Sequence, residues 1–151
     1  ELSSQAIEQF FAELGEPPRV SQRGSYRVHQ IANLTVLEGD ALALTDDMLG
    51  GPVDAIYDRA SLVALDPRTQ RESLVASFDR VLAPGGVLLL VVYEYDQSKC
   101  SGPPWSVGDA DVRRLFEGRR ITQMAERAEP ASPRLAEAGV PALLERLYRI
   151  E

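Results

Sequence analysis

Apolar side chains at Ile7, Phe10, Phe11 and Leu14 recur at i, i+3, i+4 and i+7, the spacing that lines one face of a helix. The pattern predicts a helix over Ser3–Leu14, with Ser3 or Ser4 capping its start and Gly15 its end. Pro17-Pro18 then predicts an extended exit. Ser25–Gln30 and Leu34–Leu37 read as two short strands, and Thr45–Leu49 as a capped helical turn closed by Gly50-Gly51-Pro52. Val53–Tyr57 is a compact β-prone run ending at Asp58-Arg59. Asp66 and Pro67 open a predicted helix that runs to about Leu82, with Leu74, Phe78, Val81 and Leu82 inward, and Pro84-Gly85-Gly86 breaks it. Val87–Tyr93 is continuously apolar, as expected of a parallel-sheet strand covered on both faces. A loop at Gly102–Trp105, a helix over Asp109–Glu117, and β-prone stretches at Arg119–Met124 and Leu143–Ile150 follow, with a loop between the last two from Ala125 to Pro141. Strands alternating with helices, without repeats or low-complexity tracts, predict an α/β, doubly wound single domain over residues 1–151.

Composition narrows the chemistry. The 151 residues carry a formal charge of −7, which disfavours broad contact with a phosphate backbone, so no nucleic-acid partner is expected. The seven-residue run Val87–Tyr93 is the longest apolar stretch, against roughly 20 residues for a membrane span. One cysteine, Cys100, and one histidine, His29, do not make a closed zinc site, and no metal is expected. A lone cysteine suits a reducing compartment, read as the cytoplasm. His29 lies in a short alternating stretch and reads as a half-exposed strand residue, not a general base.

Open α/β sheets bind ligands beyond the carboxyl ends of their strands, which singles out Asp40, Asp58-Arg59 and Glu94 to Asp96. Glu1 joins them if a strand lies upstream of it. Leu82-Ala-Pro-Gly-Gly-Val-Leu-Leu-Leu90 resembles the helix–turn–strand signature of class I S-adenosylmethionine-dependent methyltransferases, whose sheet is Rossmann-like. Three further stretches are similar to the thiopurine S-methyltransferase family: Glu1-Leu-Ser3, Ile56-Tyr-Asp-Arg-Ala-Ser-Leu-Val-Ala-Leu65, and Tyr95-Asp-Gln-Ser-Lys-Cys-Ser-Gly-Pro-Pro-Trp-Ser-Val107. Leu144-Glu-Arg-Leu-Tyr148 fits as well. The resemblance spans essentially the whole chain, in order.

The resemblance implies a cofactor, S-adenosyl-L-methionine, and a small-molecule substrate; a monomer is expected. It implies in-line transfer of the cofactor's methyl group to a sulfur nucleophile such as a thiopurine or aromatic thiol. Glu1 is then expected to accept from the paired ribose hydroxyls, and Asp40 from the adenine amino group, with Ala41 along the ring. Arg59 is expected near both cofactor and acceptor sulfur, where a fixed guanidinium favours the nucleophilic thiolate. The plain alternative for Arg59 is an ion pair with Asp58. Trp105 is expected to wall a flat heterocycle, and Arg134 to lie on the substrate side; a packed aromatic and an exposed loop arginine are the alternatives.

Other readings remain open: halide, thiocyanate, selenium or tellurium methylation, or a non-catalytic binding module derived from the fold. Relative to the family's pattern, the chain starts at the acidic residue closing the second strand, without the glycine-containing cofactor loop. The expectation is therefore the carboxyl-terminal part of a longer protein, with a sheet lacking its first two strands and the third strand without its inner neighbour.

Overall fold

The computed structural model describes residues 1–151. Helix α1 spans Ser4–Leu14, with the Ser3 hydroxyl accepting from the Ala6 nitrogen at 3.2 Å and Gly15 closing it at φ +70°. Its Ile7 and Phe11 are buried against a three-stranded antiparallel meander, β1 (Arg19–Arg23), β2 (Tyr26–Ile31) and β3 (Leu34–Glu38). Strand β1 was expected only as an extended exit. All five of its residues are exposed, so no apolar alternation marks it.

His29 departs from expectation. It is 6% exposed, its ring stacks on Phe11 with centroids 6.1 Å apart, and its Nε2 lies 2.8 Å from Glu38 Oε2. Glu38 also accepts from the Ser4 hydroxyl at 2.5 Å and pairs with Arg27 at 3.3 Å. Those partners, the Ser4 and His29 hydrogen bonds foremost, hold its carboxyl below the usual range.

The second sheet has the order β4-β5-β7-β6, built from β4 (Val53–Arg59), β5 (Leu82–Glu94), β6 (Ile121–Pro130) and β7 (Ala142–Ile150). Strand β5 is parallel to β4, as expected of the Val87–Tyr93 run, but antiparallel to β7, and β7 is antiparallel to β6, so the sheet is mixed. Between the sheets lie a 3₁₀ turn at Ala41–Ala43 and the short helix α2 (Asp46–Leu49). Strands β3 and β4 belong to different sheets, and each has a single paired neighbour.

One face of β5 carries Leu88, Leu90 and Val92 into the core. Helices α3 (Ser61–Ala64), α4 (Arg71–Val81) and α5 (Asp109–Leu115) cover that face, supplying Leu62, Leu74 and Val112. Helix α6 (Pro133–Glu137) brings Leu135 beside Tyr93 and Leu143 on the other face. Helices on both faces of one sheet make the doubly wound layering expected. No helix is long and apolar enough to cross a membrane.

Three boundaries moved, each for a local reason. The Asp66 carboxylate accepts from the Arg68 nitrogen at 2.8 Å and closes a turn of its own, so α4 starts at Arg71 and not at Asp66-Pro67. Pro84-Gly85-Gly86 is a bulge inside β5, since Leu82 pairs with Val53 and Val87 with Ala55. Strand β6 runs on to Pro130 through the expected loop because β7 gives it cross-strand charges, Glu126 opposite Arg146 and Arg127 opposite Glu145. Helices α3 and α6, four and five residues long, were missed.

Candidate active site

The Glu1 nitrogen donates to the Leu37 carbonyl at 3.1 Å and the Glu1 carbonyl accepts from the Gly39 nitrogen at 2.9 Å, so residue 1 lies alongside the end of β3. Glu1 Oε1 accepts from the Leu2 and Ser3 nitrogens at 3.1 and 2.9 Å, and Oε2 has no protein partner. Asp40 follows β3 in the same manner: Oδ1 accepts from the Leu42 nitrogen at 2.9 Å and Oδ2 is free. Each carboxylate is thus oriented by its own backbone, with one acceptor oxygen unused.

Buried Tyr26 fixes this corner, donating its hydroxyl to the Asp40 carbonyl at 2.6 Å. Its ring lies where a Cβ on Gly39 would be, which is why that position takes glycine. Arg80 of α4 steadies the 3₁₀ turn by donating to the Leu42 carbonyl at 2.7 Å and the Leu44 carbonyl at 3.2 Å. The result is a cavity of about 480 Å³ lined by Glu1, Asp40, Ala41, Leu42, Ser61, Ala64 and Leu65, among others. Two acceptor carboxylates over apolar walls fit a nucleoside, with hydroxyls and an amine to donate and a flat ring to bury.

Arg59 ends β4, and Ala60 after it holds φ +80°, a left-handed conformation unfavourable for a side chain with a Cβ. That turn sends the backbone into α3. Strand alternation sets Asp58 and Arg59 on opposite faces, so the Asp58–Arg59 ion pair does not form. Arg59 instead donates from Nε to the Tyr93 hydroxyl and from Nη2 to Glu145 Oε2, both at 3.2 Å. The Tyr93 hydrogen bond first, then the Glu145 charge, raise the guanidinium's already high pKa.

Asp58 is 4% exposed; its Oδ1 accepts from the Ser61 nitrogen at 3.3 Å, and its Oδ2 has no partner. Burial pushes its carboxyl above the usual 3.8. A raised carboxyl adds stability that is full below the unfolded value and lost as pH rises through the folded one. Asp58→Asn should therefore gain on the wild type as the pH is raised from about 4 towards neutrality. Urea unfolding across that range measures it, and a constant difference would refute the raised carboxyl.

A second cavity, of about 360 Å³, lies by Tyr93 and is lined chiefly by Ala60, Ala64, Pro103, Pro104, Leu135 and Leu143. Arg134 donates from Nη1 to the Pro103 carbonyl at 2.9 Å and from Nη2 to the Ser101 carbonyl at 3.0 Å, so it braces the proline loop. Trp105 packs over Gly102 and lines a separate cavity with Glu94 and Arg146. The walls beside Tyr93 are thus the prolines and α6, which sequence reasoning passed over. The Gly-Pro-Pro stretch was itself the available signal.

The mixed sheet and its flanking helices define a Rossmann-like α/β fold. Two solved structures share it at low sequence identity: the YcgJ protein of Bacillus subtilis and a SAM-dependent methyltransferase of Anabaena variabilis. The first has TM-score 0.67 and 14% identity, over 99% of this chain and 79% of that one. The second has TM-score 0.64 and 16% identity, over 100% and 65%. The model of the family "Thiopurine S-methyltransferase (TPMT)" matches residues 1–151. The chain is 40% identical over its whole length to the thiopurine S-methyltransferase of Vibrio atlanticus, spanning 68% of that protein. It is 38% identical to that of Pseudomonas putida, again over its whole length and 69% of the relative. The chain belongs to the thiopurine S-methyltransferase family.

Proposed function

We propose that the two cavities are the donor and acceptor halves of an S-adenosylmethionine-dependent thiopurine or aromatic-thiol S-methyltransferase site. One observation carries this reading: Ala64 lines both cavities, and the turn after Arg59 joins them, Ser61 lining one and Ala60 the other, while Arg59 itself lines neither and precedes that turn. Methyl transfer needs its two partners in adjoining compartments.

Glu1 Oε2 and Asp40 Oδ2 are the unused acceptors for the nucleoside's ribose hydroxyls and adenine amine, with Ala41 against the ring. S-Adenosylmethionine supplies an activated methyl group on a sulfonium, so the protein's task is alignment and deprotonation of the acceptor. Arg59 favours the thiolate form of the acceptor sulfur by its fixed positive charge. Pro103, Pro104 and Leu135 give a flat aromatic body an apolar enclosure, and Arg134 holds the proline loop in place. Trp105 shapes that loop from its far side. The protein works on a small molecule, as a monomer in the cytoplasm; the negative charge and single cysteine agree with no nucleic-acid partner and a reducing compartment.

Calorimetry of the full-length protein with S-adenosylmethionine should show binding, and Asp40→Ala should weaken it about tenfold by removing a charged acceptor. No binding at millimolar cofactor would refute the enzyme reading. Binding that Asp40→Ala leaves unchanged would remove Asp40 from the adenine site.

A further inference from the structure

The Leu144–Tyr148 stretch matches the family yet has no part in the chemistry so far. In β7 its side chains divide between the two faces. Arg146 and Tyr148 turn toward the helices, Arg146 pairing with Glu94 and Glu126, and the Tyr148 hydroxyl donating to Asp109 Oδ1 at 3.0 Å. Glu145 turns the other way, onto the face that carries Arg59 and Tyr93.

Glu145 is 8% exposed, and both its oxygens are engaged. Oε2 accepts from Arg59 Nη2 at 3.2 Å; Oε1 accepts from Arg127 Nε at 2.8 Å and lies 2.7 Å from Arg127 Nη2. Arg127 is matched in turn by Glu129 Oε1 at 2.6 Å, so two guanidinium groups and two carboxylates form a balanced row. Tyr93 takes the neighbouring donor of Arg59, Nε. One edge of the Arg59 guanidinium is therefore held from both ends, while Nη1 has no protein partner.

The geometry points to Glu145 as the positioning residue for Arg59, with Tyr93 as its second hold and the Arg127–Glu129 pair as its anchor. This rests on the reading of Arg59 as the group facing the acceptor sulfur. The Arg59 side chain is 51% exposed, and a long side chain that open would sample many rotamers unless tethered. Holding it before the substrate arrives removes that ordering cost from the bound complex and keeps its charge near the reacting sulfur.

A double-mutant cycle on thiol methylation, with S-adenosylmethionine varied up to saturation, tests the assignment. Glu145→Gln preserves volume and removes the charge that holds Arg59. It should lower kcat about tenfold with Arg59 present, leave the cofactor's KM unchanged, and act less than about twofold in an Arg59→Ala background. Tyr93→Phe removes the Nε acceptor, keeps the ring, and should follow the same pattern, which keeps the test available if Glu145→Gln does not fold. An equal loss in both backgrounds would mean a general structural effect and overturn the proposal. So would an unchanged kcat in Glu145→Gln where Arg59→Ala is impaired, and that outcome would leave the role of Arg59 standing. Unchanged turnover in Arg59→Ala would instead reject the reading of Arg59, and the positioning role with it.

Discussion

Arg59→Ala is expected to slow methylation of an aromatic thiol about a hundredfold to a thousandfold, the usual loss when one preorganised charged donor is removed from a reacting centre. Affinity for S-adenosylmethionine should change little, because Glu1 and Asp40 reach the other cavity from separate elements. On the proposed role the guanidinium acts on the acceptor's proton equilibrium, so pH should carry part of the signature. With Arg59 the bound thiol should ionise at a lower pH. Without it the rate should climb with pH into a more alkaline range, as bulk pH takes over the task of making thiolate. Arg59→Lys should recover only part of the rate, since one ammonium cannot reach both Tyr93 and Glu145 while facing the substrate. Stopped-time assays with a chromogenic thiol across pH 6–10 read the wild type and both variants. A rate loss that is the same at every pH would assign Arg59 to orienting the acceptor and not to its ionisation.

The sequence exposed this site unevenly. Asp40 and Arg59 were singled out because each follows a β-prone run, where a doubly wound sheet opens its crevice, and Glu1 was named from the family resemblance. Tyr93 and Glu145 were not, because their relation to Arg59 spans 34 and 86 residues and exists only once β5 and β7 pair. The same held in the fold. The stripe Ile7, Phe10, Phe11, Leu14 found α1, although Phe10 and Leu14 proved largely exposed. Strand β1 has no inward face to reveal a period, and β6 is mostly exposed, held by its partner strand's charges. Asp66-Pro67 reads equally well as a helix start or an Asx turn, and only the Arg68 hydrogen bond decides between them. At Trp105 the residue type drew attention from the two prolines before it, which line the cavity.

Arg71→Ala should be among the most damaging substitutions away from the reacting groups, at about 3 kcal/mol of stability. Arg71 is 2% exposed at the start of α4, and it has no carboxylate within ion-pair distance. Its Nε donates to the Leu62 carbonyl at 3.2 Å and its Nη2 to the Ser106 carbonyl at 3.1 Å. Burial lowers its pKa, the mark of a charge kept in a poorly solvated place by backbone dipoles. Truncation would leave two carbonyls short of a donor and open a void between α3, α4 and the loop after Trp105. In a chain of this size the loss corresponds to a fall in melting temperature of roughly 6–12 °C. Arg113 is the control of the same residue type. It makes an exposed i,i+4 pair with Asp109 at 2.7 Å, and Arg113→Ala should cost under about 0.5 kcal/mol. The damage at Arg71 should also reach the site. Leu62 belongs to α3, whose next residues line the proposed acceptor cavity, and Ser106 follows the proline loop on its other side. Urea melts should show the stability gap between the two variants, and assays below the melting point should show Arg71→Ala raising KM for the thiol more than it lowers kcat. Equal stability for the two variants would mean that solvent satisfies both carbonyls, and that Arg71 does not bind the loop to the helices.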